Sequence, residues 1–153
     1  MFQTSLRTPI GRLLIEGTRA SVTTIRIVPP DAPVGKSCTL LNLARKQLRE
    51  YFQGRRTAFD LPLDFSLGTS FQREVWKQIA CIGYGDTTTY SDIAHRLNRP
   101  SAQRAVGRAV GSNPFIVVVP CHRVLGAGGK LTGYSGGLKA KEWLLKHEGA
   151  LIM

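Results

Sequence analysis

The chain has 153 residues, enough for one compact domain or two small ones with a real core. Its 42% hydrophobic and 20% charged residues exclude a disordered chain, and no apolar run approaches the ~18–20 residues of a membrane span. Lys and Arg total 21 against 10 Asp and Glu, a formal +11 that points to polyanionic partners, nucleic acid before membrane surface. Split at Gly68, the halves carry +5 and +6, so the charge is not a basic tail.

The opening third reads as strands joined by turns. Pro9-Ile10-Gly11 makes a hairpin turn, Leu13-Leu14-Ile15 a strand, and Val22 to Val28 a β-branched strand stopped by Pro29-Pro30. From Thr39 to Phe52 the residues Leu40, Leu43, Ala44, Leu48, Tyr51 and Phe52 recur at helical spacing, with Gly54 beyond the end. Arg55 to Thr69 lacks periodicity and reads as a connector. The domain division is therefore 1–68 and 69–153.

Ser70 is the expected cap of a second helix, with Val75, Trp76, Ile79 and Ala80 as its inner stripe. Thr89 or Ser91 opens a third, with Ile93, Ala94 and Leu97 facing inward up to Asn98-Arg99-Pro100. Ser101 is the expected cap of a fourth, Ala102 to about Gly111. Two short helices around a tight turn make a helix-turn-helix candidate. The second of them is small-sided apart from Arg104 and Arg108. Helix packing and close approach to a nucleic-acid groove both use such a surface.

Phe115 to Val119 reads as a strand buried on both faces, ending at Pro120. It runs into Cys121-His122-Arg123. The thiolate is the reactive form of cysteine, and a neighbouring His and Arg are expected to lower the thiol pKa, which makes Cys121 the nucleophile candidate. In a regular strand Cys121 and His122 would point apart, so a dyad needs a turn at Pro120 or a bridging water. Cys38 and Cys81 read as inert buried thiols. The odd cysteine count, with no Cys-x-x-Cys pair, fits a reducing compartment without a disulfide framework. The N-terminus lacks the apolar core of a signal peptide, and a cytoplasmic location is expected.

Pro120-Cys121-His122-Arg123-Val124 resembles the acceptor-cysteine signature of the methylated-DNA–protein-cysteine methyltransferases, or O6-alkylguanine-DNA alkyltransferases, of the bacterial or archaeal single-protein type. The resemblance extends through Arg104-Ala105-Val106-Gly107, Asn113-Pro114, Gly133-Tyr134-Ser135-Gly136-Gly137 and Lys141-Glu142-Trp143-Leu144-Leu145…His147-Glu148-Gly149. It holds in order and spacing from Phe71 to Gly149, and more loosely through Thr8-Pro9-Ile10-Gly11 and Leu48-Arg49-Glu50-Tyr51-Phe52. It implies an α+β fold: an N-terminal ribonuclease-H-like α/β domain and a mainly helical, C-terminal winged helix-turn-helix-like domain. It implies stoichiometric transfer of an alkyl group from O6-alkylguanine, and from O4-methylthymine, in duplex DNA to Cys121 after base flipping.

By the same resemblance, His122 and Glu148 form a water-bridged relay with Cys121, and Asn113 pins the turn. Arg104 fills the place of the flipped nucleotide on a helix lying in the minor groove, where Phe71, Ser91, Ala102, Gly107 and Arg108 join it. Tyr90 displaces the phosphate or donates to guanine N3. Val124, Tyr134 and Ser135 surround the base, while Trp143 and Leu144 are core. No cofactor is implied. With Cys38 the only cysteine before Cys81 and no histidine before His95, no zinc is expected. The partner is double-stranded DNA, not membrane, and the protein a monomer, with cooperativity on DNA left open. Arg108 stands where relatives commonly have Gly or Ala, and Ile116 where some have proline. Two rivals remain: a helix-turn-helix damage sensor or regulator without this chemistry, and a small cysteine hydrolase. The hydrolase ranks last, because His95 and His147 lie on helices of ordinary pattern.

Overall fold

The computed structural model describes residues 1–151 and divides into two compact units, Met1–Phe65 and Ser66–Met153. In the first, strands β1 (Phe2–Thr8), β2 (Gly11–Gly17) and β3 (Val22–Val28) form an antiparallel sheet in sequence order. The first hairpin closes through Pro9-Ile10. The Thr8 hydroxyl accepts from Ile10 N–H and donates to the Gly11 carbonyl, and Gly11 takes a φ of 121° that favours glycine. Leu13, Leu14 and Ile15 are all buried, so β2 is covered on both faces.

Helix α1 (Thr39–Phe52) packs on β1 and β2 through Leu41, Ala44, Leu48 and Tyr51. The expected stripe is off at two positions: Leu41 is inside, while Leu43 points out and is 42% exposed. Gln47 is buried on the same face because the connector needs it there. Its amide donates to the Asp60 carbonyl and accepts from Asp60 N–H, which binds the otherwise irregular segment to the helix. Val22 then pairs with the chain at Leu63.

In the second unit, α2 (Ser70–Ala80) starts one residue earlier in its capping than expected. Thr69, not Ser70, is the cap, and with Gln72 it makes a reciprocal capping box. Val75, Trp76 and Ile79 are buried and Ala80 is exposed. The Trp76 indole donates to the Ala109 carbonyl at 2.8 Å, which ties α2 to α4 (Gln103–Gly111). A two-residue strand, β4 (Thr88–Thr89), leads into α3 (Tyr90–Arg96), capped by the Thr89 hydroxyl on Asp92 N–H. Asn98 ends α3 in the left-handed region at φ 58°, with Arg99 N–H returning to Ala94. Helix α4 begins after Ala102, without the Ser101 side-chain cap that the sequence suggested. Val106, Ala109 and Val110 face inward and Arg104 and Arg108 outward. The small residues thus serve helix packing on one side and leave the arginines to solvent on the other.

The predicted strand Phe115 to Val119 does not form. Those residues make a tight turn in which Val119 N–H bonds the Phe115 carbonyl and Val117 sits at φ 71°. Asn113 imposes it, since its side chain accepts from Phe115 N–H and donates to the carbonyls of Phe115 and Val119. A 3-10 turn, Cys121–Arg123, follows, then β5 (Val124–Leu125), parallel to β4, and α5 (Leu138–His147). No helix among the described residues is long and apolar enough to cross a membrane.

Thr69→Ala is expected to lower the unfolding free energy by about 1 kcal/mol in denaturant titration, with Thr69→Ser close to wild type.

Candidate active site

The parallel pairing of Thr88 with Val124 and Thr89 with Leu125 brings the start of α3 alongside the Cys121 turn. Cys121, His122 and Arg123 are all buried, within a single 3-10 turn rather than along a strand. The end of α5 closes over them. Glu148 accepts from His122 Nε2 at 2.8 Å and from Arg123 Nε and Nη2 at 2.8 and 2.9 Å. Arg123 also donates to the Ile82 carbonyl. Glu148 is therefore a buried carboxylate that accepts three hydrogen bonds from two side chains.

The hydrogen bond to Glu148 fixes the tautomer of His122. Nε2 carries the proton, so Nδ1 presents a lone pair, and Nδ1 is buried without a hydrogen-bond partner among the described residues. Burial lowers the His122 pKa, against the raising effect of the Glu148 hydrogen bond and charge, so the imidazole rests neutral.

The thiol behaves otherwise than the sequence suggested. Burial pushes the Cys121 pKa up to about 11, only partly offset by a hydrogen bond from Asn113, the charge of Lys141 and nearby backbone N–H groups. Arg123 does not activate the sulfur, because its guanidinium is committed to Glu148 and Ile82. Cys121 rests as a protonated thiol and needs a base.

Lys141 escaped the sequence reading as a site residue. It lies beside Ala140 on the inner face of α5, with Leu144 and Leu145. It is fully buried, and its ammonium donates to the carbonyls of Val124 (2.7 Å) and Thr132 (3.2 Å). Burial lowers its pKa while the charge of Cys121 raises it. Tyr134 covers the same place. Burial and then the charges of Cys121 and Glu148 hold its pKa well above the usual phenol value, and its hydroxyl has no hydrogen-bond partner of ordinary geometry among the described residues.

A second group surrounds a cleft of about 300 Å³ lined by Tyr90, Ser91, Gln103, Arg104, Gly107 and Ala127. Arg104 is exposed, and a Cβ added at Gly107 would meet the Tyr90 ring at 3.8 Å. Ser135 and Arg108 are exposed and Ala102 is the α4 cap. Phe71 lies 5.4 Å under the Arg99 guanidinium. Trp143 is half-buried, stacked on His147 at 4.8 Å, and so is not core as expected. Cys38 is buried but Cys81 is exposed, contrary to its reading as a buried thiol.

These features define the class: a helix-turn-helix framework carrying a buried thiol next in sequence to a hydrogen-bonded His–Glu pair. The chain belongs to the 6-O-methylguanine DNA methyltransferase family, whose ribonuclease-like domain model matches residues 1–65 and whose DNA-binding domain model matches residues 70–150. The methylated-DNA–protein-cysteine methyltransferase of Methanosarcina acetivorans is 41% identical over 98% of this chain and 99% of its own length. That of Shigella flexneri is 52% identical over 107 residues, 70% of this chain but 63% of that relative. The crystal structure of the Mycobacterium tuberculosis O6-methylguanine methyltransferase superimposes with a TM-score of 0.87 at 41% identity, covering 96% of this chain and 92% of the other. Mycobacterium tuberculosis OGT in complex with DNA gives 0.88 at the same identity, covering 97% and 92%.

The raised thiol pKa has a consequence for stability. The folded state holds the Cys121 proton more tightly than the unfolded state does, so this contribution is complete below pH 9.0 and lost as pH rises through about 11. Its size is about 3 kcal/mol. Lys141, with a lowered pKa, acts in the opposite sense. The comparison to make is therefore between wild type and Cys121→Ala, and wild type is expected to lose the greater stability across that window in pH-dependent denaturation.

Proposed function

We propose that this protein repairs DNA by moving a methyl or other alkyl group from O6 of guanine in duplex DNA onto Cys121, once per molecule. The observation that carries the reading is the buried Cys121 thiol next to His122 in the chain, with Nε2 of His122 held by Glu148 and Nδ1 without a partner among the described residues. The family membership and the DNA-bound relative support the same reading.

The chemistry balances on these groups. His122 Nδ1 takes the thiol proton through one bridging water, and Glu148 stabilises the imidazolium that results. The thiolate attacks the alkyl carbon opposite O6, a C–S bond forms and the C–O bond breaks, its electron pair passing to the guanine ring. The proton held by His122 then returns, through water, to the guanine. The product is a thioether, which water does not cleave, so the protein is spent. Asn113 fixes the turn that presents Cys121, while Lys141 adds positive charge where the thiolate develops.

The target base must leave the stack, at a cost of a few kcal/mol. Arg104, exposed on the small-sided α4, is assigned to the gap it leaves, with the helix in the minor groove and Phe71, Ser91, Ala102, Gly107 and Arg108 along the backbone. Tyr90 acts at the flipped nucleotide, and Val124, Tyr134 and Ser135 enclose the base. The protein works as a monomer of the cytoplasm, and the +11 charge supplies non-specific attraction to the duplex.

Incubation with duplex DNA carrying labelled O6-methylguanine tests this. One methyl group per protein at most is expected, on Cys121, and none with Cys121→Ala. Turnover beyond one equivalent contradicts the reading, and binding without transfer favours a damage sensor. Arg104→Ala is expected to slow transfer from duplex DNA by at least tenfold, while reaction with a free O6-alkylguanine base stays within about twofold. Equal losses on both substrates exclude a role in flipping.

A further inference from the structure

Thr132 belongs to no helix or strand and carries no obvious chemistry, yet three of its atoms are engaged at once. Its hydroxyl lies 2.6 Å from the Tyr90 hydroxyl. Its carbonyl accepts from Lys141 Nζ at 3.2 Å. Its methyl group fills the space above Gly126, where an added Cβ would lie 2.7 Å away, so the β5 turn has to carry glycine there. The residue joins the start of α3, which lines the 300 Å³ cleft, to the lysine whose charge bears on Cys121.

Either oxygen of the Tyr90–Thr132 pair can be the donor, and that choice decides what Tyr90 can offer. If Tyr90 donates to Thr132, its only proton is spent. If Thr132 donates to the Tyr90 oxygen, the Tyr90 proton is left for an acceptor in the cleft. A donor to the phenol oxygen also polarises the phenol O–H, which strengthens the hydrogen bond it gives. The phenol proton turns about the C–O bond, so the partner that the Tyr90 oxygen accepts from decides where that proton points.

We propose that Thr132 is a positioning residue for the alkyl-transfer reaction: its hydroxyl donates to Tyr90 and turns the Tyr90 proton toward the flipped purine, where it binds a ring nitrogen as negative charge develops on the departing base. The inference rests on the proposed function and deepens it. No proton leaves Tyr90. The thiol proton still passes by way of His122, and Tyr90 contributes a hydrogen bond that strengthens as the C–O bond breaks.

The test is a double-mutant cycle on single-turnover transfer from duplex O6-methylguanine DNA, with the maximal rate constant and the DNA dissociation constant measured separately. Thr132→Val keeps the shape and the backbone carbonyl that Lys141 uses, and removes only the hydroxyl. It is expected to lower the maximal rate about tenfold, the scale of one well-placed hydrogen bond, with DNA affinity unchanged. Thr132→Ser, which retains the hydroxyl, restores the rate to within about twofold of wild type. In a Tyr90→Phe background Thr132→Val causes no further loss. A full-rate Thr132→Val protein overturns the proposal. So does an equal loss with and without the Tyr90 hydroxyl, which would mean that Thr132 only orders its loop. Should the valine variant fail to fold, Thr132→Ala takes its place in the same cycle. Absence of transfer by wild-type protein would instead overturn the proposed function itself.

Discussion

The second unit is organised around one carboxylate. Glu148 sits in the interior at the end of α5, where an unpaired charge would cost several kcal/mol. It is tolerable only because Arg123 grips it through two nitrogens and His122 through a third. Those bonds hold the end of α5 against the Cys121 turn, and Arg123 carries the tie onward to Ile82, in the loop after α2. The loop, the nucleophile turn and the last helix are therefore fixed by one charged cluster. The same bond that satisfies Glu148 leaves His122 Nδ1 as the basic nitrogen, so structural necessity and the assigned base role coincide at one residue.

The second constraint is the turn before Cys121. A β-branched residue at positive φ costs of order 1–3 kcal/mol and persists only where its surroundings over-determine it. Val117 is in that state, and the Asn113 side chain, by binding both ends of the turn at Phe115 and Val119, supplies the determination. The apolar run is buried, but as a knot under the site. Cys121 consequently lies in a turn and not at a strand end, so the opposite-face rule of a strand does not apply to Cys121 and His122.

Patterns set by local chemistry were legible in the sequence: the Pro9-Ile10 hairpin, α1 and α2 from their periodicity, the Asn98 stop, and the outward arginines of α4. The family was legible in the run around Cys121 and in its continuation to Gly149. Features set by distant partners were not. A run of β-branched residues reads as strand until one knows that Asn113 captures its carbonyls. Nothing in the sequence foretells that the Lys141 ammonium is taken up by the carbonyls of Val124 and Thr132, or that the Gln47 amide bonds the backbone at Asp60. Arg123 beside Cys121 in sequence suggested an activated thiolate, whereas its charge is consumed by Glu148 and the thiol pKa is raised by burial. Sequence adjacency places Cys121, His122 and Arg123 together but does not say which groups they pair with.

In the proposed reaction Cys121 is a resting thiol made reactive by a His122 base that Glu148 supports. Single-turnover methyl transfer by Glu148→Gln, measured on protein shown to be folded and DNA-binding, tests it most directly. Transfer slowed by about a hundredfold is expected, since a neutral amide holds the ring without stabilising the imidazolium. Transfer at the wild-type rate would contradict it, and would require Cys121 to react without the relay.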